Sequence, residues 1–157
     1  MNKKYVYYYA TIIGRVGIAE DGTGITNVFL GDLPIHADVK ETALIKEAAE
    51  QLDEYFRGQR KLFSVKLNPQ GTPFQQSVWK ALLEIPYGET RSYKQIAEKI
   101  GNPAASRAVG MANNKNPIFI IIPCHRVIGS TGKLVGYGGG IDVKEKLLSL
   151  ESEQAVI

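Results

Sequence analysis

Cysteine occurs once in these 157 residues, histidine twice and tryptophan once. One cysteine rules out an internal disulfide, and one cysteine with two histidines leaves no cluster resembling a structural zinc site. No apolar run is long enough to span a bilayer, and the opening stretch Met1 to Tyr9 is too polar for a signal peptide. The expectation is a cytoplasmic protein with no membrane partner. What is present is ordinary: a hydrophobic content of 44% and a charged content of 22% are those of a soluble globular chain, long enough to bury a core in one domain or two small ones.

The net charge of +3 is unevenly spread. Residues 1–72 are neutral, whereas residues 91–133 carry Arg91, Lys94, Lys99, Arg107, Lys115, Arg126 and Lys133 against Glu98 alone. A basic block is usually a solvated face. Concentrated around a helix-turn-helix, it is the footprint of a phosphate backbone.

The lone cysteine lies in Asn116 to Arg126, where five apolar residues, Ile118 to Ile122, are bounded by Pro117 and Pro123. That composition predicts a short, fully buried strand with breakers at both ends. Cys124 would emerge where it stops. An unpaired cysteine is more often a small core hydrophobe than a nucleophile. Its neighbours shift the balance, because His125 and Arg126 supply a base and a cation that favour the reactive thiolate.

Taken in order, Tyr5 to Ile13, Arg15 to Ala19 and Ile25 to Leu30 read as strands of an antiparallel meander, with Asp21-Gly22 turning between the second and third. Asp38 and Glu41 resemble a capping box, followed by a helix with Leu44, Ala48, Leu52 and Phe56 on one face and an end near Gly58. Leu62 to Leu67 suggests a further strand, and Asn68 to Gly71 a linker, so the domains are placed at residues 1–70 and 71–157. His36 reads as a loop residue and the early tyrosines as strand residues.

Beyond the linker, Thr72, Pro73 and Gln75 open a helix through Phe74, Val78, Ala81, Leu82 and Ile85, with Trp79 in the same core. Ser92 and Gln95 open a short helix that Gly101 closes, and Asn102-Pro103 starts another running to Asn113. Two short helices about a Gly-Asn turn form a helix-turn-helix pattern, which many helical hairpins share. The second is surfaced by Ala104, Ala105, Ser106, Arg107, Ala108, Gly110 and Ala112. Gly110 suggests that something approaches the backbone closely, helix-on-helix packing being the competing reason. Asp142 and Glu145 form a fourth capping box for a last helix through Val143, Leu147, Leu148 and Leu150.

Asn116-Pro117, Pro123-Cys124-His125-Arg126, Ser106 to Gly110, Ser92-Tyr93 and the Gly136 to Gly140 loop closely resemble the O6-alkylguanine-DNA alkyltransferases, over residues 73 to about 151. The resemblance implies an α+β protein: a small N-terminal α/β domain, ribonuclease H-like, then a mainly helical winged helix-turn-helix domain. It implies direct reversal of DNA damage, with irreversible, single-turnover transfer of the alkyl group from O6-alkylguanine, and from O4-methylthymine, to Cys124. His125 would take the thiol proton through a water, Glu145 would hold His125, and Asn116 would complete the network. Tyr93 would help rotate the nucleotide and donate toward the departing guanine, and Arg107 would fill the vacated place in the duplex. Ala105, Ser106, Gly110, Ser130 and Arg126 would contact DNA in the minor groove, only ~6 Å wide. Tyr137, Gly138, Asn113 and Phe119 would line the base pocket. The implied partner is damaged double-stranded DNA, bound by a monomer, and no cofactor or metal is implied.

Three other readings compete. An alkyltransferase-like lesion binder would carry tryptophan in place of Cys124. A winged-helix regulator leaves the Cys-His pair and Asn116 without a role. A cysteine hydrolase would need an unusual turn for adjacent nucleophile and base to meet directly.

Overall fold

The computed structural model describes residues 3–129 and 140–155, with side chains placed up to Ser152. The chain separates into two compact units, Met1–Gln70 and Gly71–Ile157.

The first unit is a four-stranded sheet with one helix. Strands β1 (Tyr5–Thr11), β2 (Gly14–Glu20) and β3 (Ile25–Leu30) form the meander, and a two-residue β4 (Asp38–Val39) adds to β1 in parallel, giving the order β3-β2-β1-β4. The first hairpin turns on Gly14, whose φ of +118° suits glycine. Helix α1 (Ala43–Phe56) buries Ile45, Ala48, Gln51, Leu52 and Tyr55. Its N-cap is Thr42, whose hydroxyl accepts from the Ile45 amide at 3.2 Å. The expected Asp38–Glu41 box is therefore wrong: Asp38 is drawn into the sheet opposite Tyr5, and its carboxylate meets Lys3 at 2.8 Å.

Leu62 to Leu67 does not form the expected strand. Leu62 is exposed, and the segment pairs with the sheet through an isolated bridge between Ile25 and Leu67. Gln51 supplies the reason, because its side-chain amide takes up both the amide of Ser64 at 3.0 Å and the Ser64 hydroxyl at 2.9 Å.

The second unit holds α2 (Pro73–Leu83), β5 (Arg91–Ser92), α3 (Tyr93–Lys99), α4 (Ser106–Asn114), a 3-10 turn (Cys124–Arg126), β6 (Val127–Ile128) and α5 (Ile141–Ala155). Both capping boxes form reciprocally. Thr72 and Gln75 exchange bonds of 2.9 and 3.1 Å at the start of α2, and Ser92 and Gln95 exchange bonds of 2.8 and 3.1 Å at the start of α3. Helix α4 starts at Ser106 rather than Pro103, because Asn102 to Ala105 first closes a turn through the Ala105 amide and the Asn102 carbonyl. Helix α5 starts at Ile141, so Asp142 lies inside its first turn and is not the expected cap. Trp79 on α2 is buried, and its indole N–H donates to the Ala112 carbonyl of α4 at 2.9 Å.

Candidate active site

The five residues before Pro123 are buried, as their composition requires, but they do not form a strand. The Ile121 amide returns to the Phe119 carbonyl at 2.9 Å, which puts Ile120 at the centre of a γ-turn with φ +73°. A β-branched residue there costs on the order of 1–3 kcal/mol and persists only where its surroundings fix it. A second, inverse γ-turn follows at Pro123, where the Cys124 amide returns to the Ile122 carbonyl at 2.8 Å.

Asn116 holds this double turn from inside. Its side-chain carbonyl accepts from the Ile118 amide at 3.0 Å, and its amide donates to the Ile122 carbonyl at 2.7 Å. One side chain thus spans both ends of the apolar run. Asn113, at the end of α4 and buried, donates to the Cys124 carbonyl at 3.4 Å. Phe119 is buried within the turn.

Cys124 is only 4% exposed and opens the 3-10 turn that also carries His125 and Arg126. His125 is wholly buried, and its Nε2 lies 2.6 Å from Oε2 of Glu151 on α5. Glu145, expected to fill this place, is exposed on the same helix. Its position six residues before Glu151 puts it on another face at 3.6 residues per turn. Arg126, expected on the DNA surface, is also misassigned. It is buried, with Nε donating to Glu151 Oε1 at 2.8 Å, Nη2 to Oε2 at 3.0 Å and Nη1 to the Ile85 carbonyl at 2.7 Å. Every arm of its guanidinium is engaged inside.

The electrostatics follow from this packing. Burial pushes the Glu151 carboxyl up, but the hydrogen bond from His125 and the guanidinium of Arg126 outweigh it and hold the carboxyl at about 2. Burial draws the His125 imidazole below its ordinary range against the pull of Glu151, with Arg126 and Lys144 adding to the descent. The carboxylate can only accept, so Nε2–H is the donor of this bond, and burial favours the neutral form of the ring. Its Nδ1 is buried and has no hydrogen-bond partner among the described residues. A lone pair is therefore held ready on the nitrogen that can accept a proton.

Two further groups bear on Cys124. Tyr93, at the start of α3, has its hydroxyl pushed up by burial and by the nearness of Cys124, so it stays a donor. Lys144, fully buried on α5, donates to the Val127 carbonyl at 2.6 Å; burial draws its ammonium down while Cys124 opposes the shift. Sequence reasoning passed over Lys144 and Glu151, because both are ordinary charged residues on an amphipathic helix and only tertiary packing distinguishes them.

On α4, Val109, Ala112 and Asn113 face inward, while Arg107, Ala108 and Asn114 are exposed and Ala105, Ser106 and Gly110 are half-buried. Met111, 65% exposed, shares the outer face and was missed. A Cβ built at Gly110 would meet only the Tyr93 ring at 3.7 Å, an ordinary contact. Internal packing therefore does not require this glycine. Gly110→Ala is expected to raise stability by about 0.5–1 kcal/mol, read by urea unfolding. Ser130, Tyr137 and Gly138 lie outside the described residues.

This cysteine, histidine and glutamate arrangement behind an exposed Arg-bearing helix sits within a matching family signature. Residues 73–153 match the DNA-binding domain described as 6-O-methylguanine DNA methyltransferase, and residues 4–69 match the ribonuclease-like domain of the same name. The chain belongs to the 6-O-methylguanine DNA methyltransferase family. Among its relatives, a methylated-DNA–protein-cysteine methyltransferase of Methanosarcina barkeri is 62% identical over 92% of this chain and 96% of the relative. The protein of that name from Methanosarcina acetivorans is 55% identical over 92% of this chain and 97% of the relative. A crystal structure of Mycobacterium tuberculosis OGT in complex with DNA superposes with a TM-score of 0.90 at 49% identity, covering 96% of this chain and 94% of that one. The family's architecture, an N-terminal sheet unit followed by a helical DNA-binding unit, is the one described above.

Proposed function

We propose that this family member repairs DNA by taking the alkyl group of O6-alkylguanine onto Cys124, once and irreversibly. The observation that carries the reading is His125, which directly follows the only cysteine, is fixed by Glu151 at Nε2 and has a buried Nδ1 with no hydrogen-bond partner among the described residues. His125 takes the thiol proton through a bridging water, and the Cys124 thiolate attacks the alkyl carbon. The carbon–O6 bond breaks as the carbon–sulfur bond forms, and the guanine leaves with its charge neutralised by a proton from Tyr93. The proton held by His125 balances the tyrosinate. No metal or cofactor enters, since the alkyl donor is the DNA.

The nucleophile is 4% exposed, so the base must leave the stack to reach it. Arg107, exposed on α4, would occupy the gap, and the small residues beside it would let α4 enter the minor groove. The basic face is smaller than the sequence suggests, since Arg126 is turned inward and Arg91 pairs with Glu89 at 3.0 Å, but Lys94, Arg107 and Lys115 remain exposed. The O4-methylthymine substrate and the monomeric state belong to the same reading.

The deciding experiment is intact-protein mass spectrometry after incubation with a duplex holding one O6-methylguanine. One methyl per chain, mapped to Cys124 without a second turnover, is the expected outcome; an unmodified protein that binds the lesion would leave a lesion-recognition module instead. Arg107→Ala is expected to slow transfer from duplex by about tenfold or more while sparing transfer from free O6-benzylguanine, because extrusion costs a few kcal/mol only in the duplex. Equal losses on both substrates would remove Arg107 from the flipping step.

A further inference from the structure

A carboxylate hydrogen-bonded to an imidazole ordinarily favours the imidazolium, and an imidazolium cannot take the thiol proton. Glu151 therefore creates a problem as well as solving one. The groups that act on His125 are all buried with it: Glu151 and Lys144 from α5, and Arg126 from its own 3-10 turn. Tyr87, from the loop between α2 and β5, lies against Arg126 with its ring centre 5.6 Å from the guanidinium. Of these, Arg126 meets both carboxylate oxygens.

Three features define what that contact does. The guanidinium is always charged, so with His125 neutral it cancels the carboxylate, and a further proton on His125 would leave an uncompensated positive charge in a dry site. Its planar fork, at 2.8 Å to Oε1 and 3.0 Å to Oε2, fixes the plane in which Oε2 faces His125 Nε2. Its remaining arm is tied to the Ile85 carbonyl just beyond α2, which anchors the fork to a different element from the one that carries Glu151.

We propose that Arg126 is a positioning residue for alkyl transfer, balancing the charge of Glu151 and aiming its Oε2 so that His125 keeps its proton on Nε2 and presents Nδ1 as the base. This rests on the alkyl-transfer reading above. It also gives the arginine of the Pro-Cys-His-Arg stretch a task that a DNA phosphate contact could not share.

The test is nitrogen-15 NMR of the full chain in a His36→Gln background, which leaves His125 as the only imidazole. His125 is expected to be neutral, as the Nε2–H tautomer, at neutral pH, its titration lying below the ordinary imidazole range. In Arg126→Met its protonation moves up by about one to three pH units, and the acid limb of benzyl transfer from free O6-benzylguanine moves with it. Arg126→Lys, which keeps the charge, leaves that limb in place. An imidazolium at about pH 7 in the parent protein would overturn the proposal. So would an Arg126→Met protein that loses rate equally at every pH with its His125 titration unmoved. The parent titration decides the question even where Arg126→Met does not fold. Failure of the alkyl-transfer reading is distinguishable, since it appears as an unmodified Cys124 while the titration stands.

Discussion

Cys124→Ala is expected to bind a duplex containing O6-methylguanine as the parent protein does and to gain no mass from it. The chain has no second cysteine to take over, and hydroxyl and imidazole groups at this site lack the nucleophilicity of a thiolate near neutral pH. Folding should survive, because the buried thiol is small and Asn116 holds the turn around it through backbone groups alone. The loss in stability is expected to be about 1 kcal/mol, readable as a small shift in the urea midpoint. A Cys124→Ala protein that still acquired a methyl group would place the acceptor elsewhere and dissolve the proposed chemistry.

Glu151→Ala carries the other large effect. It strips His125 of its hydrogen-bond partner and leaves the Arg126 cation buried without a carboxylate, a change that typically destabilises by about 3–5 kcal/mol. Benzyl transfer from the free base should fall by about 100-fold or more as the oriented base is lost. Glu145→Ala, on the exposed face of the same helix, should change stability by less than about 0.5 kcal/mol and leave transfer intact. Swapped results for the two glutamates would reverse the assignment.

The pH dependence of stability follows from the same residues. The Glu151 carboxyl lies near about 2 in the folded chain, below the ordinary carboxylate value of ~4.3, and His125 is also depressed below its ordinary ~6.5. In both cases the unfolded chain binds the proton more readily, so stability is complete above about pH 6.5 and declines as pH falls. His125 contributes first, and Glu151 follows between ~4.3 and ~2, each at no more than ~1.4 kcal/mol per pH unit. Urea unfolding across that range should show the decline in the parent protein and lose its lowest portion in Glu151→Ala.

The parts of this chain that could be read directly are those whose causes are local. Thr72 with Gln75 and Ser92 with Gln95 form their boxes because cap and partner are three residues apart and need no tertiary help. The meander follows from period alone; on α1, period places Leu44 and Phe56 with Ala48 and Leu52, but Ile45, Gln51 and Tyr55 are the residues buried beside those two. Asp38 with Glu41 has the same spacing but lost to pairing with β1, which sequence spacing does not reveal. The run Ile118 to Ile122 was rightly expected to be buried, yet burial does not dictate backbone shape, and Asn116 bends it into turns.

The site divides in the same way. Cys124 and His125 are adjacent and announce themselves. Glu151 acts across 26 residues of chain, and Glu145 drew attention because it satisfied a local rule that the helix start did not use. Arg126 looked like part of a basic surface because charge counted along a sequence carries no information about direction. Its carboxylate partner is 25 residues away, and the fork is visible only when the two are brought together.

Trp79 offers a consequence of a different kind. It is the only tryptophan of the chain, 2% exposed, and its indole N–H is bonded to the carbonyl of Ala112, next to the asparagine that touches the Cys124 backbone. Gly71 lies so close that a Cβ there would come within 2.4 Å of the ring, so the indole has little room to relax. Its fluorescence therefore reports from a single rigid spot between α2 and the end of α4. On the proposed reading, alkylation of Cys124 or docking of α4 on DNA would alter the surroundings of that carbonyl, which would make the unlabelled protein its own optical recorder of a single-turnover reaction.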